Sequence, residues 1–170
     1  MWFADECRFQ QHGSRCVMWI PPENADPVLF HAPTRKSAAV FGAVCPADGR
    51  LVTLSVTPFN AETFPAFLRL LLRHTRPNRK MILVVDNTRF HHAAVLQHWL
   101  ADHRSRIQLD FPPPYSPDLT PIERVWKLTR RLCTHNRYFP QLEDLIGAVF
   151  ERFRIWRMPN LTLHQLCAII

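Results

Sequence analysis

Acidic residues are scarce in this 170-residue chain, with 14 Asp and Glu against 21 Lys and Arg and a formal net charge of +7. The shortage is also local. Residues 63–85 contain no acid but carry Arg69, Arg73, Arg76, Arg79 and Lys80; residues 124–142 contain none and carry Arg124, Lys127, Arg130, Arg131 and Arg137. Clustered cations without counter-charges favour a polyanionic partner, nucleic acid first, over an ordinary solvated face. Paired cysteines are lacking too: the five (Cys7, Cys16, Cys45, Cys133, Cys167) are odd in number, scattered, and never spaced C-x-x-C. That argues against a disulfide framework or a zinc ribbon and fits a reducing cytoplasm. No run of about 18 apolar residues suggests a membrane span. Asp5, Glu6 and Arg8 near the start are unlike a signal peptide. With no repeat, low-complexity tract or linker, the expectation is one soluble, cytoplasmic domain spanning residues 1–170.

What is present reads as strands first and alternating elements afterwards. WFADECRF reads as a strand, and SRCVMWI as a second pairing with it through a turn at His12 and Gly13. Prolines 21, 22, 27 and 33 mark residues 21–35 as an irregular connection. SAAVFGAVC and RLVTLSVTPF read as a hairpin about PADG, with Gly49 in the turn. Asn60 is a cap for a helix with Phe64, Phe67, Leu68, Leu71 and Leu72 on one stripe. MILVV, ending at Asp86, has the unbroken apolar character of a strand buried on both faces. HAAVLQHWLADH is expected as a helix, IQLDF as a strand, and a further helix begins near Pro121. The last helix is expected over about residues 141–157. A tight hairpin requires antiparallel pairing, and strand–helix–strand units require parallel pairing. The fold class is therefore α/β, a mixed β-sheet flanked by helices.

Three carboxylates stand at informative places: Asp5 in the first strand, Asp86 at the carboxyl end of the apolar strand, and Glu123 at a helix start. Each also has a plain structural role. Asp5 could be a partly exposed strand residue, and Asp86-Asn87 a strand stop and turn. Thr120-Pro121-Ile122-Glu123 spells a capping box with proline at the first helical position. Together, hard oxygen ligands can hold Mg²⁺, and paired ions suit phosphodiester chemistry.

The motifs FADE, LVVDNTRFHHA and PPYSPDLTPIERVWK, with VFGAVCPADGRL between the first two, resemble those of mariner-like insertion-sequence transposases. These belong to the DDE superfamily and have a ribonuclease-H-like fold. The resemblance implies Asp5, Asp86 and Glu123 as catalytic, metal-binding residues for two Mg²⁺ or Mn²⁺ ions. Asp118 is the nearest rival to Glu123, and its plain role is in a turn. Thirty-six residues separate Asp86 from Glu123, close to the family's usual spacing. The resemblance also implies Mg²⁺-dependent cleavage and transfer of DNA strands, with element ends and target DNA as partners and a homo-oligomer on DNA. Members usually carry helix-turn-helix modules ahead of this domain. Met1 stands four residues before Asp5, which suggests a split frame, with a separate chain supplying those modules, or a truncated copy. The alternatives are a hydrolytic nuclease of the same fold, such as a junction resolvase, and a non-catalytic DNA-binding remnant.

Around these acids, Glu6 is expected on the opposite strand face from Asp5 and not as a ligand. His91, His92 and His98 lack a fourth ligand at zinc spacing, and His91 is allowed a substrate-side role. Trp126, Thr129 and Cys133 read as core. Arg124, Lys127 and Arg131 share another helix face and are the residues expected to contact phosphate.

Overall fold

The computed structural model describes residues 1–17, 19–21, 28, 30, 32, 34–113 and 120–168. Its strands are β1 (Trp2–Gln10), β2 (Ser37–Cys45), β3 (Arg50–Ser55), β4 (Met81–Val84) and β5 (Ile107–Asp110). The helices are α1 (Phe64–Arg73), α2 (Ala94–Asp102), α3 (Pro121–Cys133), α4 (Leu142–Trp156) and α5 (Leu161–Leu166), and a 3₁₀ turn covers Arg89–His92. The sheet order is β3-β2-β1-β4-β5. Pairing is antiparallel for β1–β2 and β2–β3, and parallel for β1–β4 and β4–β5. The expected mixed sheet is present, and its hairpin turns at Gly49 with φ +72.

Alternation along β1 divides the core into two layers. Trp2 and Ala4 pack with Phe64, Phe67, Leu68 and Leu71 of α1 and Leu96 of α2. Phe3, Cys7 and Phe9 pack on the other face with Ile122, Val125 and Trp126 of α3, Val149 and Phe153 of α4, and Leu163 of α5.

Several expectations are corrected. Among the described residues, those of the SRCVMWI stretch form no strand. β1 takes β2 along its length as its antiparallel partner, and pairs with β4 at Trp2 and Phe3. Ser14 instead bridges to His135, and the Cys16 backbone exchanges two 2.9 Å bonds with the Asn136 side chain. Val17 and Trp19 are exposed. β4 is not buried on both faces: Ile82 is 40% exposed, because the layer of α3 and α4 covers the β1–β3 side of the sheet. The helix capped near Asn60 begins only at Phe64, Asn60 first accepting from the backbone N–H groups of Glu62 and Thr63. α4 is followed by a further helix, α5, capped by Asn160 accepting from Leu163 N–H. Asp118 and the surrounding proline loop, 114–119, lie outside the described residues, as do several positions of the 21–35 connection. No helix among the described residues is long and apolar enough to cross a membrane.

Gly42 sits directly opposite Asp5 across the β1–β2 ladder. A Cβ there would lie 2.2 Å from Cη2 and 2.7 Å from Cζ2 of Trp126. The ring is held in the core and cannot simply move aside. Gly42→Ala is expected to destabilise the protein by about 1–3 kcal/mol through this overpacking. Urea denaturation would measure it, and an unchanged midpoint would contradict the packing argument.

Candidate metal-binding carboxylate site

The sheet register delivers the two aspartates. Phe3 pairs with Val84 in the parallel β1–β4 ladder, so Asp5 and Asp86 each follow two residues after a paired position on neighbouring strands. Val85 N–H bonds to Asp110 O at 3.0 Å, so the chain is still held to β5 just before Asp86 leaves the sheet. Glu123 enters from α3, in its first turn, with its N–H bonded to Thr120 O at 3.1 Å. The predicted capping box is not formed by Thr120, whose side chain makes no capping bond to the helix. A reciprocal box occurs instead at the start of α4, between Gln141 and Asp144.

Asp5 faces α3, and Trp126 Nε1–H donates to its Oδ2 at 3.0 Å. Burial pushes the Asp5 carboxyl up to about 6; its backbone and Trp126 hydrogen bonds oppose the rise, and the charges of Asp86 and Glu123 add to it. Those two charges therefore reach Asp5, which places the three expected acids in one electrostatic field. Asp86 is held below the ordinary range, chiefly by hydrogen bonding to His91 with help from Thr88, and against its partial burial.

The tightest ligand-atom set among the described residues is a different trio: Glu6, Asp86 and His91, whose candidate atoms all lie within 4.8 Å of one another. Asp86 alone is common to both sets. Glu6 lies on the opposite face from Asp5, and His91 brings it close to Asp86. His91 Nε2 is 3.7 Å from Glu6 Oε1, and His91 Nδ1 is 3.2 Å from Asp86 Oδ1. Burial, then repulsion from Asp86, pushes Glu6 up to about 7 despite the opposing pull of His91. The signal for Glu6 was its place beside Asp5, since adjacent residues of a central strand both face buried layers. The histidines do not converge: His92 bonds to Asn87 and stacks on Phe111, 4.8 Å between ring centroids, and His98 is exposed on α2.

Arg124, Lys127 and Arg131 line a groove of about 410 Å³ together with Leu128, His135 and Leu166. Arg124 has a second task there, as its Nη1 donates to the carbonyls of Leu166 and Ala168 at 3.2 and 3.3 Å, closing the end of α5. Arg130, on the inner side of α3, donates to Cys7 Sγ at 3.1 Å and lies over the Phe9 ring. Burial pushes the Cys7 thiol up to about 12, which keeps it un-ionised.

The chain was compared with known proteins. Residues 1–146 match the model of the DDE superfamily endonuclease family. An uncharacterized protein, y4pE/y4sA, from Sinorhizobium fredii is 31% identical over 109 residues, covering 64% of this chain and 77% of that protein. The uncharacterized 39 kDa protein of insertion element IS630 from Shigella sonnei is 24% identical over 64% of this chain and 31% of that protein. Among solved structures, Mos1 transposase in its paired-end complex with the left transposon end superposes with a TM-score of 0.69 at 19% identity over 98% of this chain. The mariner Mos1 paired-end complex with Mg gives 0.64, also at 19% identity and 98% coverage. This chain spans about half the length of the Mos1 chain, 50% and 52% in the two complexes. The shared fold is the ribonuclease-H-like one.

Asp5 and Glu6 hold protons to about 6 and 7 in the folded chain, against 3.8 and 4.5 ordinarily. Between those values the folded state binds more protons than the unfolded one, so stability falls as pH rises. Their contribution is complete below about pH 4 and lost by about pH 7. In EDTA, the melting temperature of the wild type should fall across this window relative to Asp5→Asn/Glu6→Gln, which cannot titrate there. Parallel curves for the two proteins would refute the assignment.

Proposed function

Because the chain belongs to the DDE superfamily of endonucleases, we propose that it catalyses divalent-metal-dependent cleavage at the ends of an insertion element and transfer of the freed 3′-hydroxyl to target DNA. Asp5, Asp86 and Glu123 hold two Mg²⁺ or Mn²⁺ ions in this reading. The observation that supports it is the buried Asp5 carboxyl, raised chiefly by burial and further by the charges of Asp86 and Glu123. Three all-oxygen donors with mutual repulsion fit a hard cation, which relieves the repulsion on binding. When bound, such ions activate an attacking oxygen and stabilise a leaving one.

The rest is done by the chain. Trp126 fixes Asp5, while His91 and Thr88 keep Asp86 ionised. Glu123 stands in the first turn of α3, at the positive end of the helix dipole. Lys127 and Arg131 draw the phosphate backbone to the groove beside α3, with Arg124 both contacting phosphate and tying α5 in place. Such contacts position DNA without reading its sequence. We place the protein on DNA in the cytoplasm, as an oligomer that brings element ends together. Recognition of those ends falls to helix-turn-helix modules beyond residues 1–170, in this protein or a partner.

Joining is the discriminating step. Duplexes carrying a pre-cleaved inverted-repeat end, incubated with supercoiled plasmid and Mg²⁺, should yield joined products, and Asp86→Asn should abolish them while leaving the melting temperature intact. Nicking without joined products would instead identify a hydrolytic nuclease. The groove makes a separate prediction: Lys127→Ala should reduce the slope of log K against log salt by about 0.9 on unrelated duplexes alike. An unchanged slope would remove α3 from the DNA-binding surface.

A further inference from the structure

The His91 imidazole is 2% exposed and is wedged between the rings of Phe64 and Phe90, at centroid distances of 4.6 and 4.3 Å. Its Nδ1 lies 2.9 Å from the Asp86 carbonyl oxygen, 3.2 Å from Asp86 Oδ1 and 3.0 Å from Thr88 Oγ1. A carbonyl and a carboxylate can only accept, so Nδ1 carries a ring proton; its hydrogen bond is to the Asp86 main-chain carbonyl, with the carboxylate Oδ1 alongside at 3.2 Å. Nε2 is the other ring nitrogen. It is buried, has no hydrogen-bond partner among the described residues, and lies 3.7 Å from Glu6 Oε1. An ion bound by Nε2 would meet Glu6 on one side of the ring, while Asp86 takes the Nδ1–H on the other. The geometry therefore disfavours one ion held by all three side chains and favours a chain of support running from Glu6 through His91 to Asp86.

We propose that His91 is a positioning residue for Asp86: its Nδ1–H fixes the orientation in which the carboxylate meets a divalent cation, and Glu6, behind the ring, holds the imidazole in place. The inference rests on the reading of Asp5, Asp86 and Glu123 as the metal-binding set. Groups that orient a metal ligand typically change metal affinity about 10–100-fold when removed.

The test is Mn²⁺ binding to the full chain, read from the electron paramagnetic resonance signal of free Mn²⁺. His91→Phe keeps an aromatic ring between Phe64 and Phe90 but has no donor, and should weaken binding about tenfold with the melting temperature nearly held. His91→Asn places an amide nitrogen close to the Nδ1 position and should restore binding to within about threefold of wild type. Wild-type Mn²⁺ affinity in His91→Phe overturns the proposal. Should that variant fail to fold, Glu6→Gln and Glu6→Leu read the same support from behind the ring: the amide can donate to Nε2 and should bind Mn²⁺ more tightly than the leucine, and equal affinities overturn the proposal. Asp86→Ala separates the two levels, since undiminished binding there would sink the metal-binding reading itself and not only the role of His91.

Discussion

Two adjacent carboxylates on the central strand set the terms for what packs around them. Asp5 and Glu6 point to opposite faces of β1, and each face is covered by helices, so two charges must be accommodated back to back inside one sheet. Buried carboxyls are costly unless hydrogen bonds or cations meet them. On the α3 face the answer is the indole N–H of Trp126. On the other it is the imidazole of His91, held by aromatic neighbours. Gly42 follows from the first solution, because the indole can reach Asp5 only if the residue opposite has no side chain in its way.

Helix α3 then serves three surfaces at once. Its first turn carries Glu123, whose charge acts on Asp5. Val125, Trp126, Thr129 and Cys133 fill the core. Arg124, Lys127 and Arg131 face outward beside α5. Period 3.6 makes this division possible, since positions three and four apart share a face. Any shift of the helix would move the third acid, the support of Asp5 and the basic groove together.

Much of this was legible in the sequence, and the failures have physical causes. The hairpin, the parallel units and the start of α3 follow from Gly49, from the apolar run before Asp86 and from Pro121, all local signals. SRCVMWI has strand-like residues, but β1 takes the sequence-distant β2 as its antiparallel partner, and Ser14 and Cys16 are engaged by His135 and Asn136. Propensity cannot register that competition. The Thr120–Glu123 pattern fits a capping box, yet the box forms elsewhere, at Gln141 and Asp144. Glu6 was read as facing away from Asp5, as it does, and its contact with His91 was not legible because that contact is a tertiary event.

The distribution of charge separates the two functions of the domain. The chain has 21 Lys and Arg against 14 acids, so cations are available to neutralise any carboxylate. Among the described residues, Lys and Arg ion pairs are found at Arg50–Asp48 and Arg154–Glu151, on the surface, and at none of the site acids. The only basic group within ion-pair distance of Asp86 or Glu6 among those residues is His91. An Arg beside Asp5 would lower its carboxyl and satisfy it, and would also occupy the place of a metal ion. With no Lys or Arg ion pair at these acids among the described residues, the charges of Asp86 and Glu123 add to the burial that raises Asp5. Helix α3, which carries Glu123 in its first turn, also lines a basic groove with Arg124, Lys127 and Arg131.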